Sequence, residues 1–153
     1  MLELPHTLVG AAIASRIPQP HIALPLAFIS HFLFDLIPHW NPSLYQETKK
    51  YGRPTKKSTK IVIIDTSVSL LAGFLIASRF WPDWQRMVLI ILACFAAVVP
   101  DVVEGFYFFL GIRSKFLINL IEFQHRHQGK AAKIPGLLIQ AVVILISFTL
   151  ALA

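Results

Sequence analysis

The chain has 153 residues, of which 56% are apolar and only 14% charged. Soluble domains carry about 25% charged residues, so this composition excludes an ordinary water-exposed surface. The formal net charge of +6 is confined to a few connections and comes without aromatic interleaving or a helix-turn-helix pattern, so no nucleic-acid partner is expected.

In chain order, Pro5 to Ile17 reads as a short helix. Pro5 suits its first turn, and Gly10, Ala11, Ala12 and Ala14 give it a small face for close packing. At this length it is short for a full crossing, so a re-entrant or tilted segment is the alternative to a span. The stretch before it has no basic n-region and carries Glu3, so it is read as retained rather than cleaved. Pro18-Gln19-Pro20 is a stop and restart. His21 to Pro38 follows as a second apolar segment, with Ser30, His31 and Asp35 as its polar interior positions. Residues 41–59 hold Pro42, Gly52, Pro54 and several lysines, and read as an irregular basic loop on the cytoplasmic side. Lys60 to Phe80 is the third segment, closed by Trp81-Pro82-Asp83-Trp84, whose tryptophans fit an interfacial belt. The fourth runs from Arg86 to Ile112 with Pro100 inside it. Cys94 sits there among Leu92, Ala93 and Phe95; a lone cysteine forms no intrachain disulfide and is read as a packing residue.

Residues 115–128 place Phe116, Leu117, Leu120, Ile121 and Phe123 on one side, against Lys115, Asn119, Glu122 and Gln124. That spacing predicts an amphipathic helix lying on the membrane. The last segment starts near Pro135 and carries no charge through Ala153. A hydrocarbon core takes about 20 helical residues to cross. The expected fold is therefore all-α: one domain over 1–153, a polytopic helical bundle of four to five spanning segments plus one interfacial helix.

Eleven of the 14 lysines and arginines lie in alternate connections. Lys49, Lys50, Arg53, Lys56, Lys57 and Lys60 fall in one; Arg113, Lys115, Arg126, Lys130 and Lys133 fall in the other, and only Arg16, Arg79 and Arg86 remain. With the first segment crossing, the positive-inside rule makes this a multi-pass protein of the inner membrane with a cytoplasmic N-terminus. The basic connections would also meet anionic lipid headgroups.

Ionisable side chains inside a bilayer cost about 2.5–3.5 kcal/mol each on the insertion scale, so each asks for a reason. His31, Asp35 and His39 are spaced i, i+4, i+8, on one helical face. Histidine and aspartate projecting together suit a divalent metal such as zinc. Asp101 and Glu104 share another face just after Pro100, and carboxylates that close favour a cation between them. His6 and His125, with His127 nearby, flank the same ends of their segments. Asp101 lies fifteen residues beyond Arg86, about 22 Å along a helix, which brings it to the depth of the others. Plain alternatives stand beside each. His31 and Asp35 can be a buried hydrogen-bonded pair, His39 an interfacial anchor, Asp101 and Glu104 a polar seam, and Asp65 the partner of a nearby lysine.

The run Ser30-His31-Phe32-Leu33-Phe34-Asp35-Leu36-Ile37-Pro38-His39 resembles the Ser-His-x-x-x-Asp-x-x-Pro signature of bacterial membrane-bound metal-dependent hydrolases, a group related to zinc-dependent phospholipases C and similar nucleases. Pro5-His6-Thr7 and Val99-Pro100-Asp101 look like that family's other marks. The resemblance implies His31, Asp35, Asp101 and His6 as metal ligands. Pro100-Asp101-Val102-Val103-Glu104 stands where the family carries Pro-Asp-x-Asp, and Gln124-His125-Arg126-His127-Gln128 where it carries a His-Arg-Gly motif.

The sequence therefore leads to an expected metal set of His6, His31, Asp35, His39, Asp101 and His125 for one or two divalent ions. Asp101 and Glu104 would be catalytic, in hydrolysis of a lipid or lipid-linked phosphoester at the cytoplasmic face. A metal or proton transporter and a non-catalytic scaffold are the competing classes.

Overall fold

The computed structural model describes residues 1–153 as seven α-helices with no strand. They are α1 (Glu3–Arg16), α2 (Pro20–Asp35), α3 (Leu44–Tyr51), α4 (Lys56–Ser78), α5 (Trp84–Phe108), α6 (Lys115–His127) and α7 (Lys133–Leu152). Three of them, α4, α5 and α7, are long and apolar enough to cross a membrane. At 14 and 16 residues, α1 and α2 are shorter, about 21 and 24 Å at 1.5 Å per residue. The chain between them is broken where Pro18 and Pro20 stand.

The short first helix is the pillar of the bundle: α2, α4, α5 and α7 all pack on α1. Its small residues permit this. Gly10, Ala11, Ala12 and Ala14 are buried, and a Cβ added at Gly10 would lie 2.5 Å from the Ala93 carbonyl oxygen of α5. Gly73 of α4 faces Cys94 of α5 in the same way, at 3.3 Å from Sγ, so the lone cysteine is a packing residue.

The buried faces are small and the outward faces large. In α7, Gly136, Gln140, Val143, Ser147 and Ala151 point inward, while Leu138, Leu145 and Ile146 are more than half exposed. Helix α4 likewise turns Gly73 and Ala77 inward and Leu70, Leu71 and Phe74 out. Small inside and large apolar outside is how helices pack when lipid, not water, surrounds them.

Two local expectations change. Residues 41–59 are not an irregular loop: they contain α3 and the start of α4. Gly52 ends α3 in the left-handed region at φ 76°, where a Cβ would be strained. Glu47 then accepts hydrogen bonds from the Thr55 amide at 2.7 Å and the Ser58 hydroxyl at 2.7 Å, clipping α3 to the first turn of α4. Partial burial opposes the Glu47 carboxylate, but these donors prevail and hold its pKa below the usual range.

The second change concerns α6. Its buried seam is Leu117, Ile121 and Gln124, while Phe116 and Phe123 face outward. Gln124, expected on the polar face, points in because both ends of its amide are occupied there.

Candidate metal centre

The same packing faces that build the bundle carry the polar residues to one end of it. On α2, Ala23 and Ala27 are buried, and the stripe continues through His31 to Asp35. On α5, Ala93 and Ala97 lead to Asp101 one turn on. His6 lies in the second turn of α1, fully buried between them. His6 and His31 stack with ring centroids 4.2 Å apart. His6, His31 and Asp101 each offer a ligand atom, and these atoms lie within 4.8 Å of one another.

Asp35 is the second focus. Its carboxylate lies 3.3 Å from His6 Nε2, 3.7 Å from His31 Nε2 and 3.7 Å from His39 Nε2. The terminal ammonium of Met1 also contacts it, and lies 3.1 Å from His6 Nε2. His31 Nε2 stands 3.6 Å from Asp101 as well.

The other ring nitrogens fix which atoms are free. His31 Nδ1 lies 2.8 Å from the Ala97 carbonyl oxygen, which can only accept, so Nδ1 carries the proton. His39 Nδ1 is held in the same way by the Ile37 carbonyl at 2.8 Å. Both rings thus turn Nε2 toward the carboxylates. A ring whose far nitrogen donates to a backbone carbonyl is the usual arrangement of a metal-ligating histidine. His6 Nδ1 is buried with no partner in the chain. The donor set fits a divalent cation.

His39 reaches the centre by a route that helical spacing does not describe. Helix α2 ends at Asp35, and the chain bends back along residues that follow α6. Gly129 N–H donates to the Asp35 carbonyl at 2.7 Å, and Ala131 N–H to the His39 carbonyl at 2.9 Å. A Cβ at Gly129 would sit 2.5 Å from the Leu36 carbonyl oxygen, so only glycine allows this approach. Asn41 Nδ2 lies 3.3 Å from His39 Nε2 and competes for that lone pair.

No family model, curated protein or solved structure matches the chain. The centre is read from its own chemistry.

Three residues around it were not singled out by sequence or were given other roles. Gln124 spans the site: its Nε2 donates to Glu104 at 2.7 Å, and its Oε1 faces His31 Nε2 at 3.1 Å. Gln140 of α7 accepts from the Leu2 amide at 2.8 Å and donates to the Trp40 carbonyl at 2.9 Å, pinning the start of α1 to the His39 bend. Asp65 accepts from the amides of Glu3 at 2.6 Å and Leu4 at 3.4 Å. Since α1 has no cap of its own, Asp65 supplies one from α4, and no lysine pairs with it.

His125 is not brought to the cluster. It stacks on Tyr45 at 4.4 Å and accepts from Lys130 Nζ at 3.3 Å. Partial burial, with Lys130 and Lys49 near, lowers its pKa. His127 turns away and bonds the Phe123 carbonyl at 2.8 Å. A cavity of about 300 Å³ connects the two regions: Asp35, Asp101 and Glu104 line its depth, and Tyr45, His125 and Lys130 lie at its rim.

Proposed function

We propose that this chain is a multi-pass protein of the inner membrane, with its N-terminus cytoplasmic, that binds a divalent cation and uses it in hydrolysis of a phosphoester on a lipid or lipid-linked molecule. The observation that carries the reading is the meeting of His6, His31 and Asp101, with His31 held at Nδ1 by a backbone carbonyl. The likeness of the Ser30–His39 run to membrane-bound metal-dependent hydrolases agrees with it. Nitrogen and carboxylate donors favour zinc.

His6, His31 and Asp101 would hold the ion, with Asp35 orienting His6 and His39 or joining the ligand set. A bound cation supplies Lewis acidity and lowers the pKa of water at its open position. The chain's own groups do the rest. Glu104, one turn from Asp101, lines the cavity and is kept in place by Gln124, a carboxylate positioned to take a proton. The apolar bundle keeps bulk water from the inner side of the site. In the membrane, α1 and α2, shorter than the hydrocarbon core, would bring the count to five spans where the bilayer thins around them.

A transporter would need ionisable groups along the bundle. The buried histidines and Asp35 instead gather at one end.

Two measurements test the reading. For hydrolysis, purified protein with zinc or manganese is given a panel of phospholipids and lipid phosphates in mixed micelles. Wild type should release product, while Glu104→Gln should lose about 100-fold or more in rate and keep its metal, because an amide cannot take the proton. Equal background rates for both would end the hydrolase proposal.

For orientation, cysteines at Lys57 and Arg126 should react with an impermeant maleimide only from the cytoplasmic side, and one at Gln85 only from outside. Labelling of Gln85 and Arg126 from the same side would overturn the arrangement.

A further inference from the structure

The opposite end of the bundle gathers the three arginines that the basic connections leave out. Arg16 closes α1, Arg79 follows α4, and Arg86 opens α5. Residues from two connections thus meet in one place. A cavity of about 270 Å³ lies there, lined by Ser15, Arg16, Arg79, Phe80 and residues 151–153, with Arg86 bonded to the Ser15 carbonyl beside it.

None of the three arginines makes an ion pair with a carboxylate. The nearby acid, Asp83, is engaged in accepting the Arg86 backbone amide at 3.0 Å, as the N-cap of α5. Other bonds orient the cations and leave donors over. Arg16 gives Nε to the Leu150 carbonyl at 3.0 Å, which leaves its two terminal nitrogens free. Arg86 donates one terminal nitrogen to the Ser15 carbonyl and lies over the Phe80 ring. Its Nε and the Ser15 hydroxyl are buried with no partner at all. Arg79 makes no side-chain hydrogen bond within the chain.

Planar guanidinium groups with spare donors, beside an unsatisfied hydroxyl, match the oxygens of a phosphate. Trp81 and Trp84, 73% and 63% exposed, lie in the α4–α5 connection just after Phe80 of the lining, and such rings sit at headgroup level. We infer that this cavity binds a phosphate group, that of an anionic phospholipid headgroup, at the end of the bundle away from the His6–His31–Asp101 centre. The apolar faces of α4 and α7 next to it accommodate the acyl chains. The bound lipid adds to the apolar packing that joins the ends of α1, α4, α5 and α7, where Arg16 and Arg86 already reach the Leu150 and Ser15 carbonyls.

The test is native mass spectrometry of the full chain, released from micelles containing phosphatidylglycerol or phosphatidylcholine. Wild type should retain one phosphatidylglycerol in preference to phosphatidylcholine. Arg79→Gln, which removes no bond within the protein, should weaken retention about fivefold, the effect of roughly 1 kcal/mol per basic residue at a lipid surface. Arg16→Gln with Arg79→Gln should weaken it further, with bound metal unchanged in both. Retention of the two lipids alike, or of phosphatidylglycerol equally by wild type and the double variant, would overturn the inference. A separate arm offers inorganic phosphate in a lipid-free detergent and reads the thermal midpoint. Stabilisation by phosphate without retention of phosphatidylglycerol would make the ligand a free anion and overturn the lipid assignment.

Discussion

His31→Ala is expected to strip the protein of bound divalent cation and leave it folded and inserted. His31 is the shared member of both groups at the centre, 3.7 Å from Asp35 and 3.6 Å from Asp101. Its removal takes away a donor whose orientation the Ala97 carbonyl has fixed. Loss of outer contacts to a metal site already costs about 10–100-fold in affinity, so loss of this ring should cost about 100-fold or more. Insertion depends on apolar length, which alanine preserves. Asp101→Asn supplies a near-isosteric second variant: the amide keeps the shape and loses the charge, and it too should release most of the metal. His39→Ala should matter less, since Asn41 already shares its Nε2. Elemental analysis of detergent-purified protein, before and after chelation, reads all three. Full metal content in both His31→Ala and Asp101→Asn would leave a buried hydrogen-bonded cluster as the better account.

A large loss of stability is expected from a side chain at Gly10. The ideal Cβ there meets the Ala93 carbonyl oxygen at 2.5 Å and Ala97 Cβ at 3.0 Å. The first of these is backbone and cannot swing aside, so Gly10→Ala must push α1 from α5 at a cost of about 1–3 kcal/mol, typical of overpacking. Ala97 is also the residue whose carbonyl holds His31, so the displacement reaches the metal centre directly. Gly105→Ala is the matched control. Its nearest neighbour would be 3.9 Å away, and in a helix interior alanine gains up to about 1 kcal/mol over glycine. Thermal unfolding in detergent should show a clear loss at Gly10 and none at Gly105. Equal midpoints for the two variants would mean that α1 does not press on α5 as described.

These two sites show what could be read from the chain and what could not. The small residues of the first segment announced close packing, and composition announced an apolar helical bundle. Neither says that a 14-residue helix becomes the centre around which longer ones stand. His31 and Asp35 share a face because α2 is a regular helix through both. His39 was grouped with them by the same spacing, yet it arrives from beyond the helix end, through backbone bonds to residues 129 and 131. Sequence periodicity is blind to that contact because its partner lies some ninety residues away. Gln124 and Gln140 were passed over for a related reason. An uncharged amide in an amphipathic or apolar segment carries little signal alone, although Gln140, well inside an uncharged run, could have been flagged by its isolation. His125, expected at the centre, shares only its motif neighbour Gln124 with it; the step of about 100° between them sends the two side chains to different parts of the cavity.

The placement of Gln140 also sets an order of events. Helix α7 follows α1, which it covers, by more than a hundred residues. Until α7 enters, the Leu2 amide and the Trp40 carbonyl lack the partner that joins them, and the His39 bend is not pinned to the start of α1. Contacts this distant in sequence are the slow ones to form. The earlier helices can gather before α7 joins them, and they already carry His6, His31 and Asp101. Without α7 the bend that presents His39 would stay unpinned, so that the candidate centre would form in two stages, the stacked histidines first and the His39 bend after.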